Sequence, residues 1–391
     1  MVYQQDLDTL FQGDSRSPLR RMLRLRGGSQ PGREAFATIV IAWVPLALLV
    51  TTEGLYDPSG PWKSFWSDFA VHARFLVTAP MLVAADLLVG RRLGRVAHQF
   101  WASGVVRAED NQRFADICAL TARLRHARWS WLLAVGLAYT GAFLTFHLLP
   151  EALLPAWHYH HGLGSGPYSF GGWWHALISY PLLLMLLIHW LWRVALWAAF
   201  LYRVSQLRLR ITAGHPDGSG GLGFAGRSVV GFSPVAFALG AMVAGTIANR
   251  VVHLGEAPIA HQTLLAAFAL FVAILFVAPL LVFVVPLHSS RSRGTWHYGV
   301  LARHFGDAFE TRWLERSDME IKALREPDFS ALTDLYSIVE RVHRMRIVPV
   351  RSTNIVVLEL AALAPFAPVA LMGIPADVVA ERLLSILLGG L

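Results

Sequence analysis

Seven continuous apolar stretches divide the chain, near residues 36–54, 69–90, 129–149, 175–201, 228–249, 263–287 and 353–373. Each runs for roughly 19–27 residues, enough for a helix rising 1.5 Å per residue to cross a hydrocarbon core of about 30 Å. None shows the period-two alternation of a transmembrane strand, so helices are predicted and a barrel is not. The expected fold is all-α: a polytopic transmembrane helix bundle of six or seven spans with two cytoplasmic helical elements. Six of the stretches contain a proline (Pro45, Pro80, Pro181, Pro234, Pro279 and Pro365). Proline is tolerated inside a bilayer where neighbouring helices re-satisfy the freed carbonyls, so kinked, closely packed helices are expected. The last stretch is ambiguous. Pro365, Pro368, Gly373 and Pro375 break it, and Glu381 and Arg382 interrupt the apolar tail to Leu391. One full span with an interfacial helix, leaving the C-terminus outside, is preferred to a broken re-entrant pair.

The polar segments between the stretches alternate in charge. Residues 1–35, 91–128, 202–228 and 288–351 carry six, eight, four and eleven Lys or Arg. The segments between them hold almost none. This is the positive-inside pattern of a multi-span membrane protein with its N-terminus in the cytoplasm. Composition agrees, with 55% hydrophobic and 15% charged residues and a mean hydropathy of +0.46. The net charge of +8 reads as the sum of Arg clusters facing anionic headgroups. No basic domain stands apart from the membrane, so nucleic acid is not an expected partner. A lone cysteine, Cys118, rules out an internal disulfide and any multi-cysteine metal site. The first apolar stretch has the length of a span, and no small-residue cleavage pattern follows it, so it is expected to stay as an anchor.

The chain therefore divides into a basic N-terminal segment (1–35), spans one and two (36–90), a cytoplasmic helical hairpin (91–128), spans three to six (129–287), a cytoplasmic helical segment (288–351), and span seven with its tail (352–391). In the hairpin, Phe100, Val105, Phe114, Ile117, Leu120 and Leu124 fall at helical spacing. In 288–351, Phe305, Phe309, Trp313 and Leu314 form one apolar stripe, and Leu332, Leu335, Tyr336 and Val339 another. No internal repeat of the transporter kind is visible.

The sharpest local string is HPDGSGGLGFAG, His215 to Gly226, in the turn between spans four and five. Its GxGxxG follows a transmembrane helix rather than a strand, which argues against a dinucleotide site. Two readings remain. One is a tight turn stiffened by Pro216 and Asp217, with glycines supplying positive φ. The other is a gate or backbone anion site built from His215, Asp217, Gly220, Gly221 and Gly223. Within the membrane, Asp86, Arg193 and Glu359 all fall in the inner half of the bilayer. Ionisable groups at that depth usually face the bundle interior and pair, so these three are the candidate solute or ion path. The alternative is snorkelling, with Arg193 reaching the headgroups and Asp86 close to Arg91 and Arg92.

Histidines gather towards the outer side. His158, His160 and His161 lie in a Gly-rich loop, where a solvated loop competes with a transition-metal site. A single haem b, bound by His175 with His72 or His147, is the redox alternative. No catalytic motif is recognisable, which leans the reading away from an enzyme.

Three blocks carry a resemblance: PMLVAADLLVGRRL with VAHQFWASGVV; HWLWRVALWAAFLYRVSQLRLRITAGHPDGSGGLGF; and ALTDLYSIVERVHRMRIVPV with LAALAPFAPVAL. Together they resemble a family of uncharacterised bacterial multi-pass membrane proteins with HPDxxGGLGF-type and MRxVPF-type blocks. Val350 stands where that pattern has Phe. The resemblance implies a bacterial inner-membrane protein and gives no catalytic or binding residue.

The leading functional expectation is a channel or transporter for a small solute or ion. The alternatives are a scaffold or sensor whose cytoplasmic helices bind a protein partner at 288–351, and a haem or metal redox protein. The partners expected are the lipid bilayer, that cytoplasmic protein, and other copies of the chain in a homo-oligomer.

Overall fold

The computed structural model describes residues 10–11, 31–58, 60–148, 154–160, 168–313 and 327–372. His161, Leu314, most of the N-terminal basic run and the tail after residue 372 lie outside the described residues. Among the described residues the protein is helical, with two isolated β-bridges and no strand. Seven helices are long and apolar enough to cross a membrane: Gly32–Tyr56, Phe69–Ala102, Arg128–Leu148, Phe170–Ser205, Ser233–Leu254, Pro258–Arg312 and Ser352–Met372. They match the seven apolar stretches one to one. Spans two and six overrun them, because each helix continues without a break into the basic segment that follows.

The prolines mark joints rather than simple bends. Pro45 and Pro234 sit in the first turn of a new helix, after Trp43 and Phe232. Pro80 and Pro181 each follow a π-helical turn, Ala73–Thr78 and His175–Ser179. Pro279 and Pro365 lie in 3₁₀ stretches, Ala278–Phe283 and Ala364–Phe366. A proline at position i leaves the carbonyl at i−4 without its donor. Three of those carbonyls accept side chains from elsewhere in the bundle. Trp174 Nε1 donates to Ile41 O (3.3 Å), opposite Pro45. The Tyr139 hydroxyl donates to Leu177 O (3.2 Å), opposite Pro181. Arg92 Nη1 donates to Val230 O (3.0 Å), opposite Pro234. The joints are thereby stitched to neighbouring helices, as a low-dielectric surround requires.

Small residues set the closest helix approaches. Span five lies between spans two and seven. Gly245 faces Ala73 and the carbonyl of Phe69, and Gly240 faces the carbonyl of Ala362. Thr78 Oγ1 donates to Ala238 O (2.9 Å), and Trp190 Nε1 to Leu82 O (3.0 Å). Small-residue contacts and interhelical hydrogen bonds are what hold helices together when lipid is as apolar as the side chains.

The Arg-rich segments meet at one end of the bundle, hereafter the basic end. Val106 and Leu209 form a bridge, and Arg210 N donates to Val105 O (2.7 Å). In the second basic segment the buried face of Asn111–Arg125 runs through Phe114, Ile117, Cys118 and Thr121. Leu120, expected on that face, is exposed, because a 100° step per residue carries it off the stripe. In the last basic segment, Val284–Trp313 packs against Pro327–His343.

Candidate functional site

Asp86 and Arg193 come together. Arg193 Nη1 forms an ion pair with Asp86 Oδ1, joining spans two and four. The arginine side chain is 5% exposed and the aspartate 25%, so this is not a snorkelling arginine. Its guanidinium also stacks over the Trp190 ring, 5.2 Å from the centroid. His189, one helical turn before Arg193, places Nε2 3.7 Å from the same Asp86 oxygen.

The third partner of Arg193 was invisible in the spacing of charges. Arg193 Nη2 donates to the carbonyl of Phe11. Leu10 and Phe11, an isolated apolar pair in the polar N-terminal segment, are 6% and 3% exposed. The Phe11 ring meets Trp197 edge-on at 5.2 Å and Phe200 at 5.6 Å. Arg125 Nη1 donates to Leu10 O (2.7 Å). Leu10 and Phe11 therefore cover the charged pair. The only sequence signal was two apolar residues where solvated chain needs none.

Glu359 does not join this group. Span seven packs on spans five and six, whereas span four packs on spans one, two, three and six. Both Glu359 carboxylate oxygens are buried without a hydrogen-bond partner among the described residues.

The Gly-rich turn is organised around Asp217. Its carboxylate accepts the backbone N–H groups of Ser219 (2.8 Å), Gly221 (3.1 Å) and Gly223 (2.8 Å), and His215 Nδ1 lies 2.9 Å away. The donors that an external anion would need are thus held by the turn's own carboxylate. Gly220 (φ 65°) and Gly221 (φ 94°) occupy left-handed backbone conformations, and a Cβ on Gly220 would strike Ile211 and Met345. Arg346 then clamps the turn from the last basic segment, donating to Asp217 O (2.7 Å) and Ser219 Oγ (3.1 Å). This arrangement matches the tight-turn reading, with His215 as part of the turn.

Burial pushes the pKa of Asp217 up, but the three N–H donors and His215 outweigh it and hold the group below its ordinary 3.8. A depressed carboxylate stabilises the fold fully above its unfolded value, and that stabilisation drains as pH falls towards the folded value. The thermal stability of the wild type should therefore fall, relative to that of Asp217→Asn, as the pH drops below about 4. Asp217→Ala should cost about 2 kcal/mol at neutral pH by orphaning the three donors. Equal midpoints for Asp217→Ala and the wild type would sink this account.

At the opposite end the loop histidines diverge. His160 faces Glu53 at 2.7 Å. His158 is completely buried, and its ring lies 4.8 Å from that of His175, which is 3% exposed. The expectation of a solvated loop fails for His158, because the loop is anchored. Ser169 N donates to His158 O (2.7 Å), and Ser169 Oγ donates to Trp157 O (2.9 Å). Burial pushes the His158 imidazole down to about 3, with Asp68 opposing the shift and Arg74 adding to it. The ring is neutral at any ordinary pH. His72, one of the two proposed haem partners of His175, has both nitrogens engaged, with Trp43 Nε1 (3.1 Å) and near Trp66 O (3.3 Å). His147 is exposed and packs on Phe143. Among the described residues no three His, Cys, Asp or Glu side chains cluster to hold a metal.

Asp68 is a second residue that charge patterning passed over. It caps the start of span two at Val71 N (3.1 Å) and accepts from Trp157 Nε1 (3.0 Å) and Asn249 Nδ2 (2.8 Å). One carboxylate thus fastens the loop, span two and span five. No protein-family model, curated protein or solved structure matches the chain.

Proposed function

We propose that this is an integral protein of a bacterial inner membrane, with a cytoplasmic N-terminus, that passes a small solute or ion through the Asp86–Arg193 site. We also propose that it belongs with the multi-pass family its sequence blocks resemble. The observation that carries the transport reading is the buried ion pair between spans two and four, closed over by the protein's own Leu10–Phe11. A charge pair at that depth is costly even when paired, which makes it a candidate for a path or a switch. A segment held by a few side-chain contacts is a removable stopper. The gathering of Arg-rich segments at one end supports the orientation.

Flux through proteoliposomes tests this. Entrapped indicators would follow H⁺, Na⁺, K⁺ and Cl⁻. The wild type should leak slowly and Phe11→Ala several-fold faster, and adding Asp86→Asn to Phe11→Ala should remove the gain. Permeability equal to protein-free liposomes in both the wild type and Phe11→Ala would end the transport reading. A partner-binding role has one observation in its favour: the helix Val284–Trp313 exposes Trp296, Val300, Leu301 and Phe305 beside Tyr336 of its neighbour.

A further inference from the structure

Two consecutive carbonyls of the N-terminal segment are each gripped by a guanidinium. Arg125 Nη1 donates to Leu10 O (2.7 Å), and Arg193 Nη2 donates to Phe11 O. The two arginines come from different elements, the helix Asn111–Arg125 and span four. Span four also supplies a slot for the side chain. The Phe11 ring stands edge-on to Trp197 and to Phe200, whose own rings are stacked on each other at 5.5 Å. Phe114, from the helix that carries Arg125, closes on Phe200. Trp197 and Phe200 are completely buried, so the slot is full with Phe11 in it.

An aromatic ring in an apolar slot needs no cation, yet each carbonyl here is met by one. Both donors are charged and both acceptors are neutral amide oxygens. A carboxylate in place of either carbonyl makes a charge-assisted hydrogen bond, roughly twice as strong. The spacing is also that of a peptide. The arginines take the carbonyls of adjacent residues, and the slot takes the side chain of the second.

Resting on the reading of Leu10–Phe11 as a removable stopper, we propose that this segment stands in for a ligand: a small peptide or acylated amino acid that ends in an aromatic residue with a free carboxylate. The ligand's carboxylate replaces Phe11 O at Arg193. Its preceding carbonyl replaces Leu10 O at Arg125, and its ring enters the slot of Trp197 and Phe200. Arg193 then bridges Asp86 and the ligand, and Arg125 stands beside the added charge. A tethered segment competes at an effective concentration on the order of millimolar. The neutral carbonyl of the stopper is the handicap that lets a charged ligand displace it.

The probe is radiolabelled N-acetyl-Leu-Phe, with the full-length protein in nanodiscs and empty discs as the blank. Phe11→Ala empties the slot and should bind one probe per chain, about tenfold more tightly than the wild type. On that variant N-acetyl-Leu-Phe amide, which lacks the charge, should bind about tenfold more weakly. N-acetyl-Leu-Ala, which lacks the ring, should also bind more weakly. A displacement assay keeps Phe11 in place. In a Cys118→Ala background, excess probe should speed maleimide labelling of Leu10→Cys, a buried position, several-fold. The proposal is overturned if Phe11→Ala takes up no more probe than empty discs, or if acid and amide bind alike. It is equally overturned if N-acetyl-Leu-Ala binds as well as N-acetyl-Leu-Phe, or if the probe leaves the labelling rate unchanged. Ion flux through Phe11→Ala without probe binding would keep the transport reading and sink this one. Probe binding to a protein that passes no ion would do the opposite.

Discussion

Arg193→Met is expected to destabilise the protein by about 3–5 kcal/mol, because it strands Asp86 in the bundle without its counter-charge. Asp86 keeps a quarter of its side-chain exposure, which places the loss towards the lower end of that range. The same substitution also removes the donor to Phe11 O and the cation over Trp190. The charge argument makes a sharper prediction for the double variant. Asp86→Leu combined with Arg193→Met replaces both ions by apolar groups, and buried ion pairs replaced in this way commonly recover their stability. The double variant should therefore unfold at a higher temperature than Arg193→Met alone in the same detergent. If it is the less stable of the two, the stranded charge is not the source of the loss.

Gly240→Ala should cost about 2–3 kcal/mol, a large penalty for one methyl group. Its Cβ would fall on the carbonyl oxygen of Ala362 and within 3.0 Å of the carbonyl carbon. Backbone cannot rotate aside as a side chain can, so span seven would have to retreat from span five. Gly136→Ala is the matched control, since nothing lies within 4 Å of a Cβ there. Relieved of glycine's backbone freedom, the control should gain up to about 1 kcal/mol. Thermal midpoints of the two variants should move in opposite directions, and a joint fall would point to a general intolerance of helix substitutions.

The seven spans were legible because a bilayer imposes one length and one polarity on every crossing segment. The Asp86–Arg193 pair was legible for a related reason: ions at that depth have few places to go. Glu359 obeyed the same rule of depth yet lies apart, because depth along a helix says nothing about its neighbours. Span seven belongs beside spans five and six, and no periodicity in 353–373 encodes that. His158 was misread as solvated because the clamp on its backbone comes from Ser169 and Gly172, beyond a Gly-rich stretch that reads as slack chain. Leu10–Phe11 could be noticed only as an apolar pair out of place. Its destination is set by Trp197 and Phe200, nearly two hundred residues away.

That separation also sets an order of events during biogenesis. Phe11 bonds to a residue 182 positions later in the chain. At about 5–20 residues per second, a ribosome needs on the order of ten seconds or more to make that partner. Phe11 therefore cannot take its place until span four has been made. For that interval Phe11 must do without the aromatic surface that covers it in the finished protein.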